Sequence, residues 1–177
     1  MDHCTKREAQ VYSDWETKGK ENQRKGHVYQ TRTYPGKPQQ IIPSDMLMKL
    51  EWCLQKFRIE NNIRIDCQPG MYEFQMATYG VGDHFKLHRD MNPSLREFIR
   101  EREIGVRKIS STILLSDIDD YEGGGFRLET PDQKTIRVEL DIGDVVMFPH
   151  WLQHQVDPIT KGERNALVTW MLGDFWT

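Results

Sequence analysis

The hydrophobic positions between residues 44 and 60 recur every three or four residues, as they do on one side of a helix. The apolar members of this pattern are Leu47, Leu50, Leu54 and Phe57. Ser44 is a suitable N-cap, and Asn61 with Asn62 marks the end of the segment. The pattern predicts one amphipathic helix that buries its apolar side against a sheet.

From residue 71 the period changes to two, because Tyr72, Phe74 and Met76 alternate with other residues. Shorter apolar stretches follow, separated by Gly, Pro, Asp or Asn, and a short helix is predicted over 92–100. Further strands are predicted over 108–115, 126–130, 135–140, 145–148, 154–156 and 165–172. One helix followed by many short strands predicts a mainly β (α+β) domain built as a sandwich or barrel.

Residues 1–40 are more polar than the remainder, and their aromatic residues have no regular spacing. We predict that they form a polar N-terminal arm and that residues 41–177 form a single domain, for which the length is sufficient. The arm is expected either to lie along the domain, held by its aromatic side chains, or to cover a substrate as a lid.

The formal net charge of -3 provides no general electrostatic attraction for nucleic acids or anionic membranes. Cys4, Cys53 and Cys67 are widely spaced, so they predict neither a disulfide framework nor a thiolate metal site, as expected in a reducing cytoplasm. No signal-peptide pattern opens the chain, and no apolar run approaches the roughly 18 residues of a membrane span. We therefore predict a cytoplasmic protein without a nucleic-acid or membrane partner.

A candidate metal site is formed by His88, Asp90 and the distant His154. Residues two apart in a strand project to the same side, so His88 and Asp90 can bind one ion that His154 reaches from another strand. Two histidines and one carboxylate are the facial triad of non-haem iron(II) oxygenases, which leaves other coordination positions open. The sequence therefore predicts an iron(II) site at these three residues.

Arg164 lies ten residues after His154 and begins a predicted strand. The residues on the same face of that strand are Ala166, Val168 and Trp170. A guanidinium on a mostly apolar inward face is costly unless it meets an anion, and the small Ala166 leaves room for one. We predict that this anion is an acidic co-substrate, 2-oxoglutarate. The alternative is an arginine at a sheet edge, paired with Asp157 or Glu163.

A different metal site is suggested by histidines at a spacing of four, since His84 precedes His88 and His150 precedes His154. On a helix this spacing places two imidazoles on one face, as in many zinc sites. The glycines at 80 and 82 and the proline at 149 disfavour helices at both places. The four-histidine zinc site is kept as the alternative to the iron site.

Two blocks in the middle of the chain resemble a known family. The sequence YGVGDHFKLHRD at 79–90 resembles the prolyl 4-hydroxylase signature, in which Tyr-Gly-x-Gly precedes an aromatic residue and then His-x-Asp. LLSD at 114–117 with YEGG at 121–124 resembles the next block, especially that of the PKHD-type hydroxylases. These two blocks follow one another in the order of the family.

A third block completes the resemblance. GDVVMFP at 143–149 is followed by His154, Arg164 and Trp170 at the spacing of the last family block. The match covers about residues 70–173, and the three blocks together are far more specific than any one alone. The chain is therefore similar to the 2-oxoglutarate/Fe(II)-dependent dioxygenase superfamily, in particular to its prolyl 4-hydroxylase-like and PKHD-type members.

This resemblance implies a fold and a set of ligands. The fold is a double-stranded β-helix, or jelly roll, with a supporting N-terminal helix and the metal inside its open end. His88, Asp90 and His154 are implied to bind Fe(II), and Arg164 is implied to pair with the distal carboxylate of 2-oxoglutarate.

The resemblance also implies roles for residues around the iron. Tyr79 matches a residue that hydrogen-bonds the co-substrate, and Trp170 matches an aromatic residue that lines the pocket. Arg107 matches a position that helps to hold peptide substrates in some relatives. Leu114 stands where prolyl hydroxylases often carry a tyrosine, and His150 stands where PKHD-type relatives usually have a small residue.

The implied reaction is hydroxylation of an aliphatic C–H group, as in prolyl 4-hydroxylases, on a peptide, protein or amino-acid substrate. It consumes O2 and 2-oxoglutarate, forms succinate and CO2, and can use ascorbate as a reductant. A nucleic-acid demethylase on the same fold is a rival interpretation, although that class tends to carry a second arginine in place of Trp170. A non-catalytic metal-binding or sensor module is a second rival, and a zinc hydrolase that uses His84, His88, His150 and His154 is a third.

Overall fold

The computed structural model describes residues 5–8, 24–32, 43–64, 67, 72–90 and 106–173. The predicted helix is confirmed as α1, Ser44–Glu60. The prediction that Ser44 caps this helix is wrong, because the backbone N–H of Leu47 donates to the carbonyl oxygen of Pro43 at 3.1 Å. Helical hydrogen bonding therefore begins at Pro43, and Ser44 is already the first helical residue.

Thirteen strands are found in the described part of the chain. They are β1 Thr5–Glu8, β2 Arg24–Lys25, β3 His27–Arg32, β4 Tyr72–Tyr79, β5 His84–His88, β6 Val106–Leu114, β7 Tyr121–Gly123, β8 Phe126–Glu129, β9 Thr135–Val138, β10 Val145–Pro149, β11 Gln153–Val156, β12 Ile159–Gly162 and β13 Arg164–Gly173. A 3-10 turn at Ile118–Asp120 leads into β7.

The strands pair in an antiparallel manner in two main sheets. The larger sheet has six strands in the order β1-β3-β4-β13-β6-β10, and the smaller sheet has five in the order β2-β5-β11-β8-β9. A separate two-stranded ribbon joins β12 to β7. Strands that are distant in sequence lie side by side in both sheets, which is the arrangement of a jelly roll. The predicted mainly β jelly roll with a supporting helix is confirmed.

Two apolar cores lie on the two sides of the larger sheet. One core packs α1 against the outer side of that sheet through buried residues such as Leu50, Leu54, Phe74 and Ile109. The hydroxyl of Tyr72 adds a hydrogen bond to the carboxylate of Glu51, which ties α1 to β4. The helix thus stabilises the sheet from behind and leaves its other side to face the smaller sheet.

The second core fills the space between the two sheets. It contains Ala77, Tyr79 and Phe148 from the larger sheet, and Phe126 and Val156 from the smaller one. Alternate residues of each strand point into this space because side chains of a strand alternate between its faces. The candidate functional site lies in the same space between the sheets.

Several strands were not predicted from the sequence, and three of them lie in the polar N-terminal segment. There β1 and β3 extend the larger sheet, with β3 pairing with β4, and β2 pairs with β5 at the edge of the smaller sheet. The division at residue 40 into an arm and a domain stays a prediction, and the short helix expected over 92–100 lies outside the described residues. Among the described residues, no helix combines the length and apolar character needed to cross a membrane.

Candidate metal centre

His88, Asp90 and His154 come together between the two sheets. His88 ends β5, His154 lies in β11, and the two are direct partners in the antiparallel pairing of these strands. Asp90 follows β5 by two residues, and its backbone N–H donates to the carbonyl oxygen of His150 at 3.1 Å. One ligand atom from each of the three residues lies within 4.8 Å of the others. This agrees with the predicted triad, with two ligands from one strand and its exit and the third from the neighbouring strand.

The potential ligand atoms face one another at short distances. His88 Nε2 is 3.6 Å from Asp90 Oδ1, and His154 Nε2 is 3.5 Å from Asp90 Oδ2. The centroids of the two imidazole rings are 4.1 Å apart. Such separations fit three ligands arranged around one common ion, because each ligand atom of a metal site lies about 2 Å from the metal.

A hydrogen bond at Nδ1 fixes the orientation of each imidazole ring. His88 Nδ1 lies 2.8 Å from the carbonyl oxygen of Lys86, and His154 Nδ1 lies 3.2 Å from that of Leu152. A carbonyl oxygen only accepts, so Nδ1 carries the proton in both rings and Nε2 is left as the electron-pair donor. Phe85 stacks on the His88 ring with the centroids 3.5 Å apart. His88 Nε2 is buried and has no hydrogen-bond partner within the described ranges.

The protonation states of His154 and Asp90 suit metal binding. Burial lowers the pKa of His154 to about 4, although the charge of Asp90 opposes this shift. Burial works against ionisation of Asp90, but contacts with His154 and His88 hold the pKa of its carboxyl well below the usual range. At neutral pH His154 is therefore neutral and Asp90 is a carboxylate, as metal coordination requires.

The site combines the unpaired Nε2 of His88, the neutral imidazole of His154 and the buried carboxylate of Asp90. These three groups fit a divalent ion. Two neutral imidazoles and one carboxylate on one side of the ion form the donor set of non-haem Fe(II) sites, which leaves its remaining positions open. The residues present therefore fit Fe(II).

The pocket beside the triad contains the three other residues that were predicted at the co-substrate position. Tyr79, Arg164 and Trp170 line it together with the triad. Arg164 is only 2% exposed, and its Nε has no hydrogen-bond partner in the described structure. The Nε1 atom of Trp170 is also buried without an acceptor among the described residues. Buried donors of this kind are rare and costly, so the pocket is suited to a polar, anionic ligand.

The alternative position of Arg164 at a sheet edge is not found. Asp157 is instead bonded to Arg127, with Arg127 Nε 2.6 Å from its Oδ2. Glu163 is exposed and accepts a hydrogen bond from the side chain of Asn165 at 3.0 Å. Arg164 is directed inward, as the alternation along β13 predicted.

Gly124 creates the space through which Arg164 enters the pocket. Its φ is +61°, a backbone conformation that glycine adopts readily. A Cβ atom at this position would overlap the Cδ1 of Ile159 and come within 2.9 Å of the Cδ of Arg164. The glycine at the last position of the YEGG sequence, 121–124, is therefore explained by the structure, because a larger residue would displace Arg164.

The four-histidine zinc site does not form. His84 and His88 lie on the strand β5, where a spacing of four corresponds to roughly 13 Å. His84 Nδ1 contacts the carbonyl oxygen of Gly82 at 3.3 Å, and His150 Nδ1 contacts that of Lys108 at 3.0 Å. The one cluster of potential metal ligands in the described part of the chain contains neither His84 nor His150.

Arg107, predicted as a substrate contact, forms an ion pair that the sequence did not indicate. Its Nε and Nη2 lie 2.9 Å and 2.8 Å from Oε2 of Glu73. Its guanidinium carbon lies 3.6 Å from the centre of the Trp170 ring, close enough for a cation–π contact. The Arg107 side chain keeps 19% of its surface exposed, whereas that of Glu73 keeps 2%. Glu73 thus holds Arg107 over the tryptophan that lines the pocket.

Removing Glu73 is expected to destabilise the protein, because it would leave the charge of Arg107 largely buried without this partner. Loss of one member of a buried ion pair costs about 3–5 kcal/mol, and the partial exposure of Arg107 places Glu73→Ala near the lower end. The free energy of unfolding, measured with urea, checks this. The control is Glu139→Ala, since Glu139 belongs to an exposed pair with Arg137 that should contribute at most about 1 kcal/mol. Equal losses in the two variants would contradict the structural role of Glu73.

Comparisons with known proteins agree with this geometry. The family described as the 2OG-Fe(II) oxygenase superfamily matches residues 74–172. A PKHD-type hydroxylase of Pseudoalteromonas atlantica is 30% identical over 105 residues, which are 57% of this chain and 43% of the relative. A PKHD-type hydroxylase of Synechococcus sp. is 36% identical over 101 residues, which are 57% of this chain and 42% of the relative. The chain thus spans less than half of the length of these relatives.

Two solved structures share the fold. A prolyl-4-hydroxylase of Pseudomonas putida is 20% identical with a TM-score of 0.63, over 88% of this chain and 76% of that chain. The viral collagen prolyl hydroxylase of Paramecium bursaria Chlorella virus-1 is 19% identical with a TM-score of 0.54, over 97% of each chain. At these identities the likeness concerns the fold alone.

The matched segment contains all three residues of the triad and Arg164, and its fold is the jelly roll that the sequence predicted. Members of the matching family depend on Fe(II) and 2-oxoglutarate. The unpaired buried groups of the pocket suit such a pair of ligands, since His88 Nε2 can bind a metal ion and Arg164 Nε can donate to an anion. This chain belongs to the 2OG-Fe(II) oxygenase superfamily.

Proposed function

We propose that the chain hydroxylates an aliphatic C–H group of a peptide, protein or amino acid with O2 and 2-oxoglutarate, forming succinate and CO2. The observation that carries this proposal is the convergence of unpaired buried groups in one pocket. Among the described residues, the buried side-chain atoms without a hydrogen-bond partner are His88 Nε2, Arg164 Nε and Trp170 Nε1, and all three residues line this pocket. Bound metal and co-substrate would satisfy such groups.

His88, Asp90 and His154 would hold Fe(II) from one side of the pocket. When bound, Fe(II) supplies the activation of O2 that is coupled to oxidative decarboxylation of 2-oxoglutarate. The three residues would occupy one side of the ion and would leave positions for the co-substrate and for O2. The role of ascorbate in this proposal is to keep the iron reduced.

Arg164 would receive the carboxylate of 2-oxoglutarate that is distant from the iron. The fold fixes the position of the guanidinium before the ligand binds. The aliphatic part of the Arg164 side chain passes Gly124, and its neighbour on the inward face is the small Ala166. A buried arginine–carboxylate pair is strong and directional, and arginine can bind both oxygens. Tyr79 and Trp170 line the same pocket and would contact the co-substrate or the substrate beside it.

For the substrate, several features favour a peptide or amino acid over a nucleobase. The similar curated proteins are PKHD-type hydroxylases, and two structures with the same fold are prolyl hydroxylases. Trp170 occupies the place where nucleic-acid demethylases tend to have a second arginine, and Arg107 stacks on it with part of its side chain exposed. Leu114 lacks the hydroxyl that many prolyl hydroxylases have at this position. The proposed target is therefore not restricted to proline and includes other aliphatic side chains.

A mass-spectrometric screen tests the substrate class. The enzyme is incubated with Fe(II), ascorbate and 2-oxoglutarate, and proline-rich peptides are offered beside methylated oligonucleotides. A mass gain of one oxygen atom on a peptide is expected, and it should disappear when 2-oxoglutarate is omitted or when Asp90 is replaced by alanine. Demethylated oligonucleotide with unchanged peptides would contradict the proposal in favour of the demethylase.

A further inference from the structure

Asp90 is the one residue of the triad outside a regular strand. His88 and His154 are held by the paired strands β5 and β11, whereas Asp90 follows the end of β5. Its backbone is attached to the carbonyl oxygen of His150, but this bond does not set the rotation of the carboxylate. Another contact must therefore orient the carboxylate relative to the two imidazoles.

Ser110 makes such a contact. Its hydroxyl donates to Asp90 Oδ2 at 2.6 Å, a length typical of a strong hydrogen bond to a carboxylate. Ser110 is fully buried, and so is Asp90 except for 8% of its surface. In such surroundings a hydrogen bond to a charged group is stronger than in water.

The backbone of Ser110 is held in place on both sides. It lies in β6, where its partners are Trp170 of β13 on one side and Phe148 of β10 on the other. A group on a strand that is paired on both sides is held more precisely than a group on a loop, and it can therefore orient a neighbour that lies on a loop. Ser110 thus connects the less constrained ligand to a strand that is paired on both sides.

We infer that Ser110 is a positioning residue, which holds the Asp90 carboxylate in the orientation that iron binding requires. This inference rests on the proposed assignment of His88, Asp90 and His154 as iron ligands. Partners of metal ligands typically contribute about 10- to 100-fold to metal affinity. Ser110→Ala is therefore expected to weaken Fe(II) binding by about 10- to 100-fold, although Ser110 is not one of the proposed ligands.

The adjacent Ser111 provides a matched control. Its hydroxyl also makes a buried hydrogen bond of 2.6 Å, but the partner is Thr169 and not a residue of the triad. Neighbouring residues of a strand point to opposite sides, which explains the different partners. Ser111→Ala removes an equally short buried bond from the same strand, so it reports the general effect of loosening β6.

The experiment is an anaerobic titration of the full chain with Fe(II), read as competition with a chromogenic chelator and as the rise in unfolding temperature on binding. Ser110→Ala should bind iron about 10- to 100-fold more weakly than the wild type. Ser110→Thr, which keeps the hydroxyl, and Ser111→Ala should both stay close to the wild type. If the alanine variant does not fold, Ser110→Thr is compared with Ser110→Val, which has the same shape without the hydroxyl, and the same difference is expected.

Equal iron affinity in Ser110→Ala and the wild type would overturn the inference, as would equal affinity in the Thr and Val variants. An equal loss in Ser111→Ala would also overturn it, because the effect would then come from the strand as a whole. These results leave the proposed function intact, since the wild type would still bind iron. A wild type that binds no Fe(II) would overturn both the inference and the proposed function.

Discussion

Replacement of His88, Asp90 or His154 by alanine is expected to abolish Fe(II)-dependent turnover of 2-oxoglutarate. The reason is that the three ligand atoms lie within 4.8 Å of one another and form the one group of at least three potential ligands in the described part of the chain. A divalent ion held by only two of them has lost a third of its protein ligands. Succinate formation, together with the iron content of each purified variant, measures the effect.

His84→Ala and His150→Ala are the controls for this prediction. Each of these histidines precedes a triad histidine by four positions, but each ring contacts a backbone carbonyl and neither residue belongs to the cluster. Iron binding should be largely intact in both variants. All samples require anaerobic reconstitution with Fe(II), because nickel and copper bind such sites more tightly than iron. Unchanged iron stoichiometry in Asp90→Ala would show that the triad is assigned incorrectly.

Arg164→Ala is expected to raise the concentration of 2-oxoglutarate required for turnover while it leaves iron affinity almost unchanged. Loss of one partner of a desolvated charge pair costs about 2–5 kcal/mol, which corresponds to roughly 30-fold to several thousand-fold in affinity. The KM for 2-oxoglutarate and the dissociation constant of Fe(II) are measured side by side. The separation of the two constants is the decisive feature, because a general structural defect would change both.

Arg127→Ala is a suitable control for Arg164→Ala. Arg127 lies in β8 of the smaller sheet and forms an ion pair with Asp157. Unlike Arg164, it keeps 35% of its side chain exposed. Its removal should leave the requirement for 2-oxoglutarate unchanged. An equal affinity for 2-oxoglutarate in Arg164→Ala and the wild type would mean that the buried guanidinium serves another ligand.

Local pattern was sufficient to predict much of the fold and the candidate site. The helical repeat predicted the start of α1 to within one residue, and the alternation in 72–77 and 165–172 predicted the central strands β4 and β13. The triad could be predicted because its residue types and spacing correspond to a specific coordination chemistry. The inward direction of Arg164 could be predicted from the alternation along 164–170, whereas its binding of 2-oxoglutarate stays a prediction.

The buried polar groups around the site could not be predicted from the same pattern. Alternation along β4 indicates that Glu73 and Gln75 share a face, but it does not show that this face borders the pocket and that both are 2% exposed. The partner of Glu73 is Arg107, which is distant in sequence, and the partner of Ser110 is Asp90. Such contacts depend on the pairing of β6 with β13, which a single sequence does not specify.

The N-terminal strands were missed for a related reason. The segment of β3, HVYQTR at 27–32, is short and polar, so its composition resembles that of a loop. It becomes a strand through its pairing with β4 in the larger sheet, where six pairs of residues are in register. In such a strand the neighbouring strand contributes the backbone hydrogen bonds that the local sequence does not predict.

The most direct test of the proposed function is anaerobic reconstitution with Fe(II), followed by admission of O2 and measurement of succinate from 2-oxoglutarate. We expect succinate only when Fe(II), 2-oxoglutarate and O2 are all present, and none when Zn(II) replaces Fe(II). Fe(II) binding without succinate across the peptide substrates would instead support a non-catalytic module. Hydrolytic activity supported by Zn(II) in the absence of 2-oxoglutarate would contradict the proposed function outright.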